Sequence, residues 1–316
     1  MPSESSPVES PIELWYRARK HTKLDNAQAH PYPSHQEASD RHMRIAIQGE
    51  PGSFSHEAAM KLVEDAVIAP CTLSAEVFAS LSEGSVEAAV IPIENSLAGS
   101  VSEHFDLLLK HDVLVERETL LRIRHNLIAI SGTHIGEIDR VFSHPVALAQ
   151  CKRFLAEHPR MESYAFYDTA GSVKQLVELR DRHAAAIASK AAAAFYGAQI
   201  LQADIEDNPE NYTRFFLVRR TADATLYPES NKISLCFSVE NRPGSLVAAL
   251  TEFAALGANM TKIESRPVHG KPWEYIFYVD CQISSVNDVE RIMAALAPHC
   301  AMVKKLGCYQ EAPELS

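Results

Sequence analysis

The chain has 316 residues, 41 acidic side chains against 30 basic ones for a net charge of −11, and 46% apolar residues; at about 150 residues per domain this suggests about two domains and excludes a single small module. Its apolar runs fall short of the roughly 18 residues a membrane span needs, and Met1 to Ser10 lacks the basic-then-apolar order of a secretory signal, so a cytoplasmic protein is expected. The acidic excess also argues against nucleic acid, whose phosphates require a concentrated positive field.

Residues 1–42 are rich in Ser, Pro, His and charge and bury too little apolar area to offset the entropy of ordering. They are expected to form a loose polar leader, although Ile12, Trp15, Tyr16 and Arg19 fall at helix-like intervals within Ile12 to Leu24. From Arg44 the pattern becomes strand, polar turn, helix, five times over. The turns are Gly49 to Ser55, Glu94 to Ser100, Ser143 to Pro145, Asp168 to Ser172, and Ser189.

That repetition is the mark of an open α/β sheet, in which the turns after the strands meet at the carboxyl edge and ligands bind there. All five turns carry a hydroxyl residue beside a helix start, where free backbone N–H groups favour anions. Ser and Thr are also ordinary helix N-caps.

After the fifth helix, Asp207 to Asn211 forms a turn into Tyr212-Thr213-Arg214 and the apolar strand Phe215 to Val218. This strand is expected to return to the first half of the sheet, giving two lobes with a cleft between them. Residues 221–231 read as a linker, 232–310 as a βαββαβ unit of ferredoxin-like topology, and 311–316 as a tail. One face of that four-stranded sheet is expected to stay open for dimerisation. The six cysteines lack metal or C-x-x-C spacing and read as buried thiols of a reducing compartment; no H-E-x-x-H, P-loop or G-x-G-x-x-G pattern occurs.

From Arg44 to Tyr309 the sequence resembles the prephenate dehydratases, with the closely related arogenate dehydratases, followed by an ACT regulatory domain. The motifs are G-x-x-G-S-F-S at Gly49 to Ser55, P-I-E-N-S-x-x-G-x-V at Pro92 to Val101, S-H-P-x-A-L-x-Q at Ser143 to Gln150, D-T-A at Asp168 to Ala170, N-x-T-R-F at Asn211 to Phe215, G-S-L-V at Gly244 to Val247 and E-S-R-P at Glu264 to Pro267. Glu50-Pro51, Val146 and Ser245 depart from the common pattern. The resemblance implies an α/β fold: a two-lobed, periplasmic-binding-protein-like catalytic domain over 43–220 plus a ferredoxin-like ACT domain over 232–310. The leader is too short for the chorismate mutase domain fused to some relatives, so no mutase activity is expected.

The implied reaction is decarboxylative dehydration of prephenate to phenylpyruvate in phenylalanine biosynthesis, a carbon–oxygen lyase chemistry. Aromatisation drives it, and the barrier lies in expelling hydroxide, so a donor at the departing oxygen is required. By the resemblance Thr213 is that donor, acting through a hydrogen bond that strengthens as charge develops. Asn95 bonds the hydroxyl or a carboxylate. Glu94 orders Asn95 and its loop or serves as an acid. Arg214 offers a bidentate fork to a carboxylate or enters a structural ion pair. Ser53, Ser55, Ser96, Ser143 and Thr169 are candidate neutral donors, Phe215 packs one side of the cleft, and His144 is structural or moves protons. No metal or cofactor is expected.

For the ACT domain the resemblance implies phenylalanine bound at a subunit interface of a homodimer or homotetramer, through Asn241, Gly244, Ser245, Leu246, Glu264, Ser265, Arg266 and Pro267. Arogenate dehydratase is an alternative, as is a non-catalytic aromatic-acid sensor, since a two-lobed fold alone does not prove turnover.

Overall fold

The computed structural model describes residues 42–268, 270, 271 and 273–313; residues 1–41, with the helix-like interval 12–24, and the last three residues of the tail lie outside them. The first lobe begins with β1 (Arg44–Gln48), α1 (Phe54–Leu62), β2 (Val67–Cys71), α2 (Ser74–Glu83), β3 (Ala88–Asn95), the short β4 (Gly99–Ser100), α3 (Ser102–Lys110) and β5 (Val113–Arg122). The chain then crosses into a second lobe of β6 (Asn126–Ala129), β7 (Arg140–Ser143), α4 (Pro145–Ala149), α5 (Lys152–Glu157), β8 (Glu162–Ala165), α6 (Thr169–Leu179), β9 (Ala184–Ala188), α7 (Lys190–Tyr196) and β10 (Gln199–Gln202). It returns through β11 (Tyr212–Arg220), which inserts antiparallel between β3 and β5. The returning strand and the two lobes agree with the sequence reading.

The helix starts follow from side-chain capping. Ser53 accepts from the His56 amide at 3.4 Å, Asp168 from Gly171 at 2.6 Å and Ser189 from Ala192 at 2.9 Å, each satisfying a backbone N–H that the helix itself leaves free. Short β-branched or alanine runs such as β3 and β9 are buried on both faces, as strands between helical layers must be.

The C-terminal unit contains β12 (Lys232–Ser238), α8 (Ser245–Ala255), β13 (Asn259–Pro267), β14 (Tyr275–Gln282), α9 (Asp288–Leu296) and β15 (Met302–Tyr309). Its strand order β13-β14-β12-β15 continues through β5 into the first lobe, giving β13-β14-β12-β15-β5-β11-β3-β1-β2, while the second lobe is a separate sheet β10-β6-β9-β7-β8. The junction rests on Gly307 paired with Val115. A Cβ at Gly307 would collide with the Val115 backbone, so no larger residue fits that approach.

One expectation is corrected here. The sheet face opposite α8 and α9 is covered by the first lobe of the same chain: Phe105 packs on Tyr278 with ring centroids 4.8 Å apart, in one apolar cluster with Leu108, Cys236, Ile276 and Tyr309. Burial of such side chains contributes about 1.5–3 kcal/mol each. The Lys304 ammonium donates to the Leu108, Leu109 and His111 carbonyls at 2.9, 2.9 and 2.8 Å, capping the negative end of α3. The face expected to be open for dimerisation is therefore an internal interface, and the outer edge of the sheet is β13.

Candidate active site

Between the lobes lies a cavity of about 480 Å³, within the usual range for small-molecule sites. Its wall includes Ser53 and Ser55 from the first turn, Asn95, Ser100, Thr213 and Phe215 from the first lobe, and His144, Gln150 and Thr169 from the second. Four of the five expected turns thus converge. The fifth, at Ser189, supports the first instead, its hydroxyl donating to the Gly52 carbonyl at 2.6 Å.

The centre of the wall is a pair on adjacent strands, with Thr213 opposite Asn95 in the β11–β3 ladder. The Asn95 Oδ1 accepts from the Leu97 and Ala98 amides at 3.0 and 2.7 Å, which fixes the amide orientation and turns Nδ2 toward Thr213. Nδ2 donates to Thr213 Oγ1 at 2.9 Å, to Asn211 Oδ1 at 2.7 Å and to the Tyr212 carbonyl at 3.1 Å. Because Thr213 Oγ1 receives a proton from an amide that cannot accept one, its own O–H is left to donate, and no described residue takes it.

The network continues. Asn211 Nδ2 donates to Gln150 Oε1 at 3.0 Å, and the same oxygen lies 2.9 Å from His125 Nε2. Since Oε1 only accepts, His125 carries its proton on Nε2. Burial lowers the pKa of His125, which is 2% exposed, and keeps the ring neutral. Gln48, Ser100, His125 and Gln150 were missed as lining residues, and Asn211 as a member of the network. Gln150 closes one of the quoted motifs and Asn211 opens another; His125 sits at the crossing between lobes, where no local pattern marks it.

Several candidates do not reach the cavity. Arg214 is corrected from substrate fork to structural ion pair. Its guanidinium bonds Glu118 at 2.6 Å, Asp280 at 2.5 Å and the Tyr309 hydroxyl at 2.9 Å, and lies 4.6 Å from the Phe216 ring centroid. Strand pleating puts Thr213 and Phe215 on the cleft side and the residue between them on the other. Of the two roles expected for Glu94, the acid does not fit the geometry: next to Asn95, it points outward and pairs with Lys262 at 2.8 Å, which leaves it the ordering of its loop. Ser143 is fully buried and donates to the Ile187 carbonyl at 2.5 Å, while Ser96 donates to the Glu210 carbonyl at 3.1 Å, so both are spent on the scaffold. His144, by contrast, does stand in the cavity wall, and it also caps α4 by accepting from the Val146 amide at 3.3 Å.

Among the described residues lining the cavity there is no lysine or arginine. Positive potential comes from the starts of α1 and α6, where Ser53, Ser55 and Thr169 stand. An adjoining polar cavity of about 410 Å³ shares Gln48, His144 and Asp168 with the first. Across it Glu50 of the first lobe accepts from the Tyr167 hydroxyl at 3.0 Å and pairs with Lys174 at 3.1 Å, both in the second lobe. Burial and that hydrogen bond push the Tyr167 phenol up to about 12, and burial also raises the Asp168 carboxyl.

In the C-terminal unit, Asn241, Ser245 and Leu246 line a small cavity of about 150 Å³ together with Trp273, Tyr275 and Phe277, beside Gly244 at the start of α8. The Ser245 hydroxyl is buried there with no partner among the described residues. Ser265 and Pro267 are exposed. Glu264 and Arg266 are corrected: alternation on β13 turns them toward the first lobe, where Glu264 accepts from Ser100 and Arg266 bonds Asp106 at 3.1 and 2.7 Å.

Fold and cleft together define a two-lobed α/β protein with a ligand-sized site between its lobes and an appended βαββαβ domain. The chain belongs to the prephenate dehydratase family: the family model for prephenate dehydratase matches residues 45–223, and that for the ACT domain matches 234–297. It is 38% identical to arogenate dehydratase/prephenate dehydratase 2 of Arabidopsis thaliana, over 84% of this chain and 72% of that one. Among solved structures it is similar to prephenate dehydratase of Arthrobacter aurescens in complex with L-Phe (TM-score 0.77, 31% identity, 85% of this chain and 90% of that one). It is also similar to GqqA, described as a novel type of quorum-quenching acylase (TM-score 0.78, 32% identity, 85% and 98%).

Proposed function

We propose that the cleft converts prephenate to phenylpyruvate, carbon dioxide and water, with Thr213 as the donor to the departing hydroxyl and Asn95 as the group that aims it. The observation carrying this is the one-way hydrogen bond from Asn95 Nδ2 to Thr213 Oγ1, which commits the threonine proton to the cleft. Electrons of the bond to the ring carboxylate flow into the ring as carbon dioxide leaves, and the C4 oxygen departs with the pair from its own bond. A hydroxyl donor fixed in place before reaction stabilises that oxygen most when its charge is greatest.

Ser53, Ser55 and Thr169, with the starts of α1 and α6, serve the two substrate carboxylates, and Gln150 supplies a further amide. Phe215 supports one wall of the ring site. A similar protein of the same fold bears an acylase description, so fold alone does not decide the chemistry; the Thr213–Asn95 pair supports the dehydratase reading. The ACT domain binds phenylalanine in the Asn241–Ser245–Leu246 cavity, and the chain works as a homodimer or homotetramer in the cytoplasm. The leader over 1–42, the catalytic domain over 43–220, the linker and the ACT domain over 232–310 are the working units.

Thr213→Val removes the donor while keeping size. Losing one donor at a developing charge lowers kcat by about 10²–10³, whereas the lost hydrogen bond destabilises the fold by only about 1 kcal/mol. Phenylpyruvate from prephenate is read by its enol absorbance in alkali, and phenylalanine from arogenate, which has no such enol, by amino-acid analysis. A variant with near wild-type kcat on both refutes the assignment.

A further inference from the structure

The two residues that meet in the cleft each have a sequence neighbour on the opposite side of the sheet, and both neighbours are held by the ACT domain. Thr213 faces Asn95 across the ladder, and Arg214 faces Glu94. Outward, Arg214 is bound to Asp280 of β14 and Glu94 to Lys262 of β13. The second contact is part of a larger seam. Lys262 Nζ also donates to Ser100 Oγ at 3.0 Å and pairs with Glu264 at 3.2 Å, and the Ser100 hydroxyl donates to Glu264.

Ser100 belongs to β4, which pairs back on β3 so that Glu94 lies opposite Ser100 and Asn95 opposite Gly99. The segment fastened by Lys262 and Glu264 is therefore the one that carries Asn95 and supplies Ser100 to the cavity wall. Lys262, Glu264 and Arg266 occupy alternate positions of β13, all turned to the first lobe; Ile263, Ser265 and Pro267 between them are exposed.

We propose that Lys262 and Glu264 are positioning residues for the dehydration step, fastening the Glu94–Ser100 segment so that the Asn95 amide holds Thr213 in its donating geometry. This rests on the dehydratase reading above. A displacement of about 1 Å at a reacting group costs on the order of 100-fold in rate, so a slackened seam shows in turnover before it shows in substrate binding. Because β13 turns its other face outward, anything that binds there and shifts the strand acts on Asn95 without entering the cleft.

The test compares Lys262→Met, Glu264→Gln and the reversal Glu94→Lys with Lys262→Glu, singly and together. Each single change is expected to lower kcat by about 10- to 100-fold with KM within about twofold, measured on folded protein; the double reversal restores a pair between positions 94 and 262 but leaves a carboxylate beside Glu264, and recovers part of the loss. Asp106→Asn loosens the same seam at Arg266, away from Asn95, and leaves kcat unchanged. Should Lys262→Met not fold, the isosteric Glu264→Gln carries the test. Wild-type kcat in the folded variants, no recovery in the double reversal, or an equal loss in Asp106→Asn each overturns the positioning role. A wild-type protein that leaves prephenate and arogenate unchanged overturns the dehydratase reading itself.

Discussion

Replacing Arg214 by methionine separates a residue that holds substrate from one that holds domains. The guanidinium joins Glu118 of β5, Asp280 of β14 and Tyr309 of β15, and the three charged side chains, Arg214, Glu118 and Asp280, are at most 10% exposed. Lys232 also bonds Glu118 at 3.1 Å, so the enclosed charges are two cations against two carboxylates. Methionine fills part of the volume but leaves Asp280 with the Ser234 hydroxyl at 2.5 Å as its only remaining side-chain partner among the described residues. An uncompensated buried charge costs about 3–5 kcal/mol, a large fraction of the 5–15 kcal/mol typical of a folded protein. Urea denaturation followed by far-UV circular dichroism should show that loss, while KM on the folded fraction stays within about threefold. Adding Asp280→Asn to Arg214→Met should restore part of the stability. An unchanged midpoint with a 100-fold rise in KM would refute this reasoning and return Arg214 to the substrate.

Gly52→Ala is expected to hold the lobes apart, since φ there is +87° and a Cβ would lie 2.7 Å from the Ala192 Cα in the second lobe; KM should rise at least about tenfold with a stability loss of about 1–3 kcal/mol, and unchanged values of both would show that the lobes do not close this way. Burial lowers the pKa of His56, His104, His111 and His125, so below about 6.5 the unfolded chain binds protons the native one refuses. Stability should therefore fall as pH drops from about 7.5 to 5.5, with the raised Asp168 and Glu57 carboxyls opposing the trend from the acid side; a flat urea midpoint over that interval refutes it. Ser245→Ala removes an orphaned buried hydroxyl from the small ACT cavity and should weaken phenylalanine binding by about fivefold in calorimetry; unchanged affinity places the effector elsewhere.

Much of this architecture is legible in the sequence, because its signals are local. The strand–turn–helix rhythm located β1, β3, β7, β8 and β9 with their helices, and the ACT elements follow from apolar periodicity and the turn at Asn241 to Gly244. The motifs brought Ser53, Ser55, Asn95, Thr169, Thr213 and Phe215 to one cavity. What failed depended on partners distant in the chain. The first lobe's cover over the ACT sheet comes from Phe105 meeting Tyr278, 173 residues later, and nothing near either residue announces the other. His125 becomes part of the site only because the chain changes lobes there.

The misplacement of Glu94 and Arg214 has a different origin, for its signal was present all along. A strand cannot turn consecutive side chains to one face, so Glu94-Asn95 and Thr213-Arg214-Phe215 could not all line the cleft. Once one member of each motif belongs inside, its neighbour must find partners outside, and a charged neighbour on a buried sheet needs opposite charge there. The ACT domain supplies it as Lys262 and Asp280. The same two dipeptides thus bring Asn95 and Thr213 together on one face and make a domain contact on the other, and a substitution at Glu94 or Arg214 that lowers activity does not by itself mark a residue that touches substrate.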